Sequence, residues 1–294
     1  MTASQLYLPA GQATTAEYDT QVTPESAGWG YSSLRVVTVP VAGTHTFSTG
    51  SDEVIVVPLE GSATIEVDGS FVDLDGRVDV FAGPTDFAYL PIDSVVTISA
   101  ANGGRFALAG ARTDRKLPFR YGPVADVPVE LRGAGSCSRQ VRNFATPEAF
   151  PAAKIIACEV ITPGGNWSSY PAHKHDEQSE SEAELEEIYY FEISSGPNGE
   201  PGFGYHRTSS SPNKEIDILE EVRTRDTVLV PHGWHGPCVA APGFDMYYLN
   251  VMAGPAKERA WLISDHPDQG WVRGTWADQA VDPRLTPIPD LKGS

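Results

Sequence analysis

The sequence predicts an all-β protein in which two β-barrels follow one another along the chain. Its 294 residues include 28 glycines and 24 prolines, and these turn-forming residues separate short runs that are rich in β-branched and aromatic side chains. Evenly spaced short strands favour a sandwich or barrel over alternating strands and helices. A single hydrophobic core rarely grows beyond about 250 residues, so we expect two domains.

The individual strands are predicted from apolar runs bounded by turn residues. They cover residues 34–41, 53–58, 63–67, 87–90 and 95–99 in the first half, and 155–161, 188–193, 202–207, 227–230 and 246–251 in the second. The halves echo each other, because in each an acid (Glu53 or Glu187) opens a strand and a later strand ends near a proline (Pro91 or Pro231). We therefore predict a duplicated barrel, with domains at residues 1–130 and 131–294.

Charge and cysteine content restrict the partners and the compartment. The net charge of −18 repels phosphates and anionic membrane surfaces, so we expect no nucleic-acid and no membrane partner. No apolar stretch reaches the ~18 residues of a membrane span, and residues 1–21 lack the basic and apolar segments of a secretory signal. The three cysteines are an odd number without a CxxC pair, which indicates reduced thiols and a cytoplasmic protein.

Three histidines and one glutamate form the strongest candidate site. His173 and His175 are two residues apart, so on an extended strand both side chains face the same side. Glu187 opens a later strand, and His235 closes a Pro-His-Gly-Trp-His run. We choose His235 over His232 because the two would face opposite sides of one strand, and His232 suits the rim better. Such a set leaves open positions on one divalent ion, for which zinc, manganese and iron are candidates.

These residues carry a resemblance to a known superfamily. The His-x-His pair, the later Glu187 and the run from Pro231 to His235 resemble the two cupin motifs, the first of them stretched and the second shortened by one residue. Longer blocks resemble the 5-deoxy-glucuronate isomerase family of myo-inositol catabolism, at residues 132–144, 166–176, 185–190, 228–235 and 242–255. The resemblance implies two jelly-roll-like cupin barrels and a metal-dependent aldose–ketose isomerisation, from 5-deoxy-D-glucuronate to 5-dehydro-2-deoxy-D-gluconate.

The first barrel departs from the metal pattern. It keeps Glu53 but offers only His45, and Asp93 and Ser94 stand where the closing histidine would be. We therefore expect a degenerate N-terminal barrel that holds no metal and serves a structural role.

Four residues are candidates for the proton transfer that the isomerisation requires. Such a reaction passes through an enediolate, which a divalent metal stabilises and which a base must form and quench. Tyr189 shares the inward face of Glu187, and His206 lies on the next strand. Lys174 lies between the two histidines and so faces the opposite side, which favours a structural role. Asp245 begins the last barrel strand.

A sugar-acid substrate requires a positive charge inside this acidic protein. Arg139, Arg142 and Arg207 are candidates, because a guanidinium group can bind a carboxylate through two parallel hydrogen bonds. Arg142 lies within a family-like block and Arg207 follows His206, and we assign both to substrate binding. Tyr248 and Asn250 share one face of the last barrel strand and are the candidates for binding the sugar hydroxyls.

Three alternative functions remain open. The first is isomerisation of another uronate-like sugar, such as 5-keto-4-deoxyuronate. The second is a cupin dioxygenase or oxidase, which would combine the same ligands with an apolar pocket, and the third is a non-catalytic sugar-binding bicupin without a complete ligand set. We also expect a homo-oligomer, a dimer or higher, and a tail with three tryptophans (Trp261, Trp271 and Trp276) that packs over a barrel or a neighbouring subunit.

Overall fold

The fold consists of three antiparallel β-sheets, in a computed structural model that describes residues 6–285. The first half contains β1 (Tyr7–Leu8), β2 (Thr20–Val22), α1 (Pro24–Ala27), β3 (Ser32–Ser48), β4 (Asp52–Val67), β5 (Ser70–Arg77), β6 (Phe87–Leu90), β7 (Val95–Arg112) and β8 (Arg120–Gly122). The second half contains β9 (Val129–Arg132), β10 (Arg139–Ala145), β11 (Ile156–Thr162), β12 (Trp167–Ser168), β13 (His173–Lys174), β14 (Glu186–Ile193), β15 (Gly204–Ser211), β16 (Lys214–Val222), β17 (Thr227–Val230), β18 (Trp234–Ala240), β19 (Met246–Ala253) and β20 (Ser264–Asp265). Short 3-10 helices lie at Val124–Asp126, Gly135–Cys137 and Gly270–Asp278. The all-β prediction is confirmed, and each predicted strand overlaps a strand of the structure.

The N-terminal sheet is built on three long strands. Its order is β2-β3-β7-β4-β6-β8, with β5 paired to β4, and β3 and β7 stay paired from Ser32 opposite Ala111 to Ser48 opposite Val95. The predicted strands 53–58 and 63–67 are one strand, β4, whose register shifts beside Gly61. Gly61 has φ +85°, and a Cβ there would lie 2.6 Å from the Gly103 carbonyl oxygen. The glycine therefore permits a bulge that bends the strand instead of ending it.

The second half consists of two sheets that face each other. The larger has the order β1-β17-β14-β19-β11-β10-β9, and the smaller has the order β16-β15-β18-β13-β20, with β12 paired to β18. Every residue of β11 and β19 is buried, although antiparallel sheets commonly have one face in water. Both faces of this central sheet are covered: Tyr189 packs on His206 of the smaller sheet with ring centroids 4.8 Å apart, whereas Glu192 pairs with Arg105 of the N-terminal sheet at 2.8 Å.

Two glutamates connect the halves in a reciprocal way. Glu53, at the start of β4, accepts hydrogen bonds from the backbone N–H groups of Ala153, Lys154 and Ile155 and from the Tyr89 hydroxyl. Glu186, at the start of β14, accepts them from the N–H groups of Gly30, Tyr31 and Ser32. By these contacts the counterpart of Glu53 is Glu186. The sequence comparison that matched Glu53 with Glu187 was therefore wrong by one residue.

Sheet membership divides the chain differently from the predicted domains. β1 pairs with β17 of the second half, and β9 spans the predicted boundary between residues 130 and 131 while pairing with β10. The N-terminal segment therefore adds a strand to the C-terminal half. The domain limits 1–130 and 131–294 stay a prediction, and their residues 1–5 and 286–294 lie outside the described part of the chain.

Replacing Glu53 with Gln tests the link between the halves. The amide presents N–H donors to backbone N–H groups that need an acceptor, so we expect the free energy of unfolding to fall by about 3 kcal/mol. Urea denaturation followed by circular dichroism measures it. Glu66→Gln, at an exposed position of the same strand, is the control and should change it by less than about 0.5 kcal/mol. Equal stability of the two variants would contradict the assignment.

Candidate active site

Three buried side chains from different strands and loops converge in the C-terminal half. The ligand atoms of His175, Glu187 and His235 all lie within 4.8 Å of one another. Glu187 Oε2 is 3.0 Å from His175 Nε2 and 3.1 Å from His235 Nε2. The contact with His235 lacks hydrogen-bond geometry, so His235 Nε2 is a buried nitrogen without a hydrogen-bond partner. Buried polar atoms are normally satisfied, and this group could hold a metal ion.

The Nδ1 atoms of the three histidines support the interpretation as a metal site. Nδ1 of His175 lies 3.1 Å from the Leu185 carbonyl oxygen, and Nδ1 of His235 lies 3.0 Å from that of Gly233. Nδ1 of His173 approaches the Pro171 carbonyl oxygen at 3.4 Å. A neutral ring that donates from Nδ1 to a carbonyl presents the Nε2 lone pair on its other side, where it can bind a metal ion. Metal-binding histidines are oriented in this way, so the donor set fits a divalent cation.

Burial and mutual attraction shift the ionisation of these groups. Burial disfavours the Glu187 carboxylate, but His235 and the hydrogen bond from His175 hold the pKa of Glu187 well below its usual range. Burial also opposes protonation of His175, yet its bond to Glu187 raises the pKa of that imidazole. For His173, burial and the neighbouring His235 lower the pKa well below its usual value. The site therefore keeps an anionic carboxylate, which a cation needs.

His173 lies beside the three converging residues. It pairs with His235 across β13 and β18, and the two ring centroids are 4.4 Å apart. Unlike the other two histidines it is only half-buried and lines a cavity. His173 is therefore adjacent to the group of three but is not part of it.

Lys174 points away from this group, as its position between the two histidines predicts. Its ammonium group donates to Asp176 at 2.9 Å and to Glu182 at 2.8 Å. Asp176 also accepts hydrogen bonds from the Ser211 hydroxyl and from the Gly233 N–H. This buried network joins the loop after β13 to the loop that precedes β18, the strand that carries His235. Because the Lys174 side chain faces away from the candidate metal ligands, these contacts support a structural role, and its catalytic assignment stays a prediction.

A cavity of about 410 Å³ opens beside the candidate metal ligands. The central sheet forms the floor of the cavity. Every second residue along a strand faces the same side of the sheet, so neighbouring strands each contribute side chains to this space. Five of the predicted site residues line it: Tyr189, Tyr248 and Asn250, and the candidate metal ligands His173 and Glu187.

A serine connects the two tyrosines of the cavity. Ser169 Oγ lies 3.3 Å from the Tyr189 hydroxyl and 3.1 Å from the Tyr248 hydroxyl. Burial raises the pKa of both phenols, so both hydroxyls keep their protons. Sequence reasoning missed Ser169, which lies in a loop between two-residue strands where no periodicity assigns it a face.

Three arginines also line the cavity: Arg132, Arg139 and Arg273. The first two belong to the family-like block 132–144, and the sequence named Arg139 as a candidate. Arg273 comes from the C-terminal 3-10 helix, and no sequence signal could have indicated it. Trp261, from the same tail, lines the cavity as well, so the tail packs over the C-terminal barrel.

Four other predicted site residues do not line the cavity, mostly because successive side chains along a strand face opposite sides of the sheet. Arg142 faces the N-terminal half, where it donates to the carbonyl oxygens of Val80 and Gly83. Arg207 faces outward on β15 and pairs with Asp217. Asp245 is exposed and accepts from the Gly164 N–H. His206 is fully buried behind the cavity against Thr208, and burial lowers its pKa to about 3.

The fold and the site together define a cupin-like protein with a candidate metal centre. Comparison with solved structures supports this class. An IolB-like protein of Salmonella typhimurium LT2 matches with a TM-score of 0.83 and 30% identity, over 91% of this chain and 98% of that one. Oxalate decarboxylase of Lactobacillus farciminis matches with a TM-score of 0.61 over 88% of each chain, and its 12% identity shows the fold alone.

Sequence comparison is more specific. The chain belongs to the KduI/IolB family, whose model matches residues 6–272. The 5-deoxy-glucuronate isomerase of Geobacillus kaustophilus is 38% identical over 272 residues, which cover 92% of this chain and 95% of that protein. The enzyme of that name from Bacillus subtilis strain 168 is 33% identical over 256 residues, covering 86% and 91%. The family resemblance inferred from the sequence is confirmed.

The contacts of Lys174 predict that its replacement harms stability more than chemistry. Lys174→Met leaves two buried carboxylates without their cation, so we expect the free energy of unfolding to fall by about 2–3 kcal/mol. Lys257→Met, at an exposed position, should leave it nearly unchanged. Thermal and urea denaturation provide the measurement. A Lys174→Met protein with wild-type stability and no turnover would instead indicate a chemical role.

Proposed function

We propose that this protein is a metal-dependent aldose–ketose isomerase that converts 5-deoxy-D-glucuronate to 5-dehydro-2-deoxy-D-gluconate in myo-inositol catabolism. The observation that carries the proposal is the similarity, over most of the chain, to relatives that bear the name 5-deoxy-glucuronate isomerase. The cavity is consistent with it, because candidate metal ligands, hydroxyl groups and arginines line one space. A sugar acid needs all three kinds of group.

The metal site of the proposal consists of His173, His175, Glu187 and His235, with one divalent ion that is zinc, manganese or iron. Three of these residues form the converging group, and the edge-on position of the His173 ring beside His235 supports His173 as the fourth ligand. When bound, such an ion acts as a Lewis acid for a carbonyl oxygen and the neighbouring hydroxyl. Glu187 supplies a negative charge to the site, and the backbone carbonyls at Leu185 and Gly233 hold two imidazoles in place.

In this proposal the hydroxyl groups of the cavity bind and orient the substrate through hydrogen bonds. Tyr189 extends from the same face of β14 as Glu187 and keeps its proton, so it donates a hydrogen bond to a substrate oxygen and does not act as a base. Ser169 connects its hydroxyl to that of Tyr248, and Asn250 carries a buried amide nitrogen without a partner. Together these groups can bind the hydroxyls of a sugar chain while the surrounding sheet excludes water.

The partner and the compartment belong to the same proposal. The partner is a small sugar acid, and a homo-oligomer remains our expectation, with the edge strand β16 and its exposed Leu219 as a surface for pairing. Within residues 6–285, no helix is both long and apolar enough to cross a bilayer. A cytoplasmic location is supported by three cysteines that are all free and buried.

The proposed reaction can be followed directly by NMR with metal-replete protein and 5-deoxy-D-glucuronate. We expect the aldehyde signal to disappear as a ketone forms, with exchange of the C2 proton. His235→Ala should lose both bound metal, measured by elemental analysis, and turnover. His232→Ala is the matched control: His232 is partly exposed and contacts the Glu215 carbonyl oxygen, so this variant should keep both. An inactive metal-replete wild type would refute the isomerase, and metal retained in His235→Ala would refute the ligand assignment.

Tyr189→Phe tests the hydroxyl donor. Loss of this group should lower kcat by about 100-fold while metal content stays constant, because a positioned hydrogen-bond donor to a developing negative charge typically contributes that much. Tyr190→Phe is the control, since Tyr190, the residue after Tyr189 on β14, faces the N-terminal half and donates to Glu192. Steady-state kinetics on both variants decides the matter. Equal kcat values for Tyr189→Phe and wild type would remove Tyr189 from the chemistry.

A further inference from the structure

One of the three arginines that line the cavity has no acidic partner. Arg132 pairs with Glu130 at 2.7 Å, and Arg273 donates to Asp265 at 2.7 Å. Arg139 is 4% exposed, yet within residues 6–285 no carboxylate forms an ion pair with it. In that part of the chain, its one side-chain hydrogen bond goes from Nη1 to the Cys137 carbonyl oxygen. Because buried charges are normally paired, this guanidinium group lacks the anion that such a position demands.

The surroundings of Arg139 hold it in place without neutralising it. The Arg139 guanidinium lies 5.3 Å from the ring centroid of Trp276, and that of Arg273 lies 5.4 Å from the same ring. Burial, with Arg132 and Arg273 nearby, lowers the pKa of Arg139 to about 10, so it remains charged at neutral pH. Two further donors of the cavity residues are also buried and free, Asn250 Nδ2 and Trp261 Nε1. The cavity therefore has unused donors and an uncompensated positive charge.

The charge of Arg139 and two of the candidate metal ligands, His173 and Glu187, line the same cavity. Arg139 is on β10 and Glu187 is on β14, and the strand order β14-β19-β11-β10 separates them by three strand spacings. The pairing register puts Gln140, the neighbour of Arg139, level with Glu192 of β14. Arg139 and Glu187 are therefore also offset along the strands and lie toward different ends of the cavity. In 5-deoxy-D-glucuronate the aldehyde and the carboxylate are the two ends of the chain.

We propose that Arg139 is the residue that binds the substrate carboxylate and thereby restricts the enzyme to sugar acids. This inference rests on the proposed function for the identity of the substrate, and it deepens that function. The planar guanidinium can donate two parallel hydrogen bonds to a carboxylate. With the acid end held there, the aldehyde end extends toward Glu187 and the histidines. Arg139 therefore determines specificity at a distance from the reacting carbons.

A binding experiment that needs no turnover tests the inference. The probes are D-gluconate and its neutral counterpart D-glucitol, titrated calorimetrically into the metal-replete full chain. We expect wild type to prefer gluconate by at least about tenfold, and Arg139→Met to lower that preference ratio by at least about tenfold. Any contact of gluconate with the metal ion occurs in both proteins, so it cancels from the comparison of the two ratios. An unchanged ratio in Arg139→Met would overturn the inference.

Two further variants separate the role of this side chain from charge and folding effects. Arg115→Met removes the same charge from an exposed arginine outside the cavity, so it should keep the wild-type ratio. Arg139→Lys keeps the charge without the two-pronged geometry and should give an intermediate ratio. Arg139→Lys also takes the place of Arg139→Met if the latter fails to fold, as judged by circular dichroism and metal content. A loss of preference in Arg115→Met equal to that in the Arg139 variants would overturn the assignment.

Kinetics distinguishes a failure of this inference from a failure of the proposed function. With 5-deoxy-D-glucuronate, Arg139→Met should raise KM by at least about tenfold with a smaller change in kcat, because the carboxylate contact is present before and during the reaction. If wild type forms no ketone but Arg139 controls gluconate binding, the isomerase is wrong and the carboxylate site stands. If ketone forms and neither KM nor the binding ratio depends on Arg139, the carboxylate site is wrong and the isomerase stands.

Discussion

The alternation of side chains along the central sheet is the constraint on which the rest of the structure depends. This sheet lies between the smaller sheet of its own half and the N-terminal barrel, so each strand serves two environments at once. On β14, Glu187 and Tyr189 face the cavity, whereas Glu186 and Glu192 face the N-terminal half. A slip of one residue would exchange these sets. The register therefore fixes the candidate site and the contact between the halves together.

The two sides of the central sheet differ in whether their polar groups find partners inside the protein. On the face toward the N-terminal half, Glu159 is paired with Arg77 and accepts a hydrogen bond from Tyr247 at 2.8 Å. On the cavity side, Arg139 of the central sheet has no carboxylate partner within the described residues, and His235 Nε2 of the facing smaller sheet has no hydrogen-bond partner. The ion pairs between the halves give each charge a partner of opposite sign inside the protein, whereas within the described residues these two groups of the cavity side lack an ionic partner and a hydrogen bond, respectively. Such local inconsistency is expected at functional sites.

The sequence could predict the candidate metal ligands because they depend on local patterns, a two-residue spacing and acids or histidines beside predicted strands. It could not predict which arginine enters the cavity. Arg139 and Arg142 are three residues apart and so face opposite sides of β10. In a sheet that is buried on both sides, neither face is marked by solvent-exposed polar residues, and Arg142, which the sequence favoured, faces the N-terminal half. Arg273 reaches the cavity only through tertiary packing of the tail, which strand periodicity does not describe.

The reciprocal glutamates explain why the two barrels differ inside. Glu53 and Glu186 make equivalent contacts across the halves, so the residue that follows each one occupies the equivalent interior position. In the C-terminal barrel that residue is Glu187, but in the N-terminal barrel it is Val54, which is fully buried in an apolar core. Both barrels therefore keep the glutamate that contacts the other half. The next position alternates to the interior, where a carboxylate can contribute to a metal site and a valine contributes to packing.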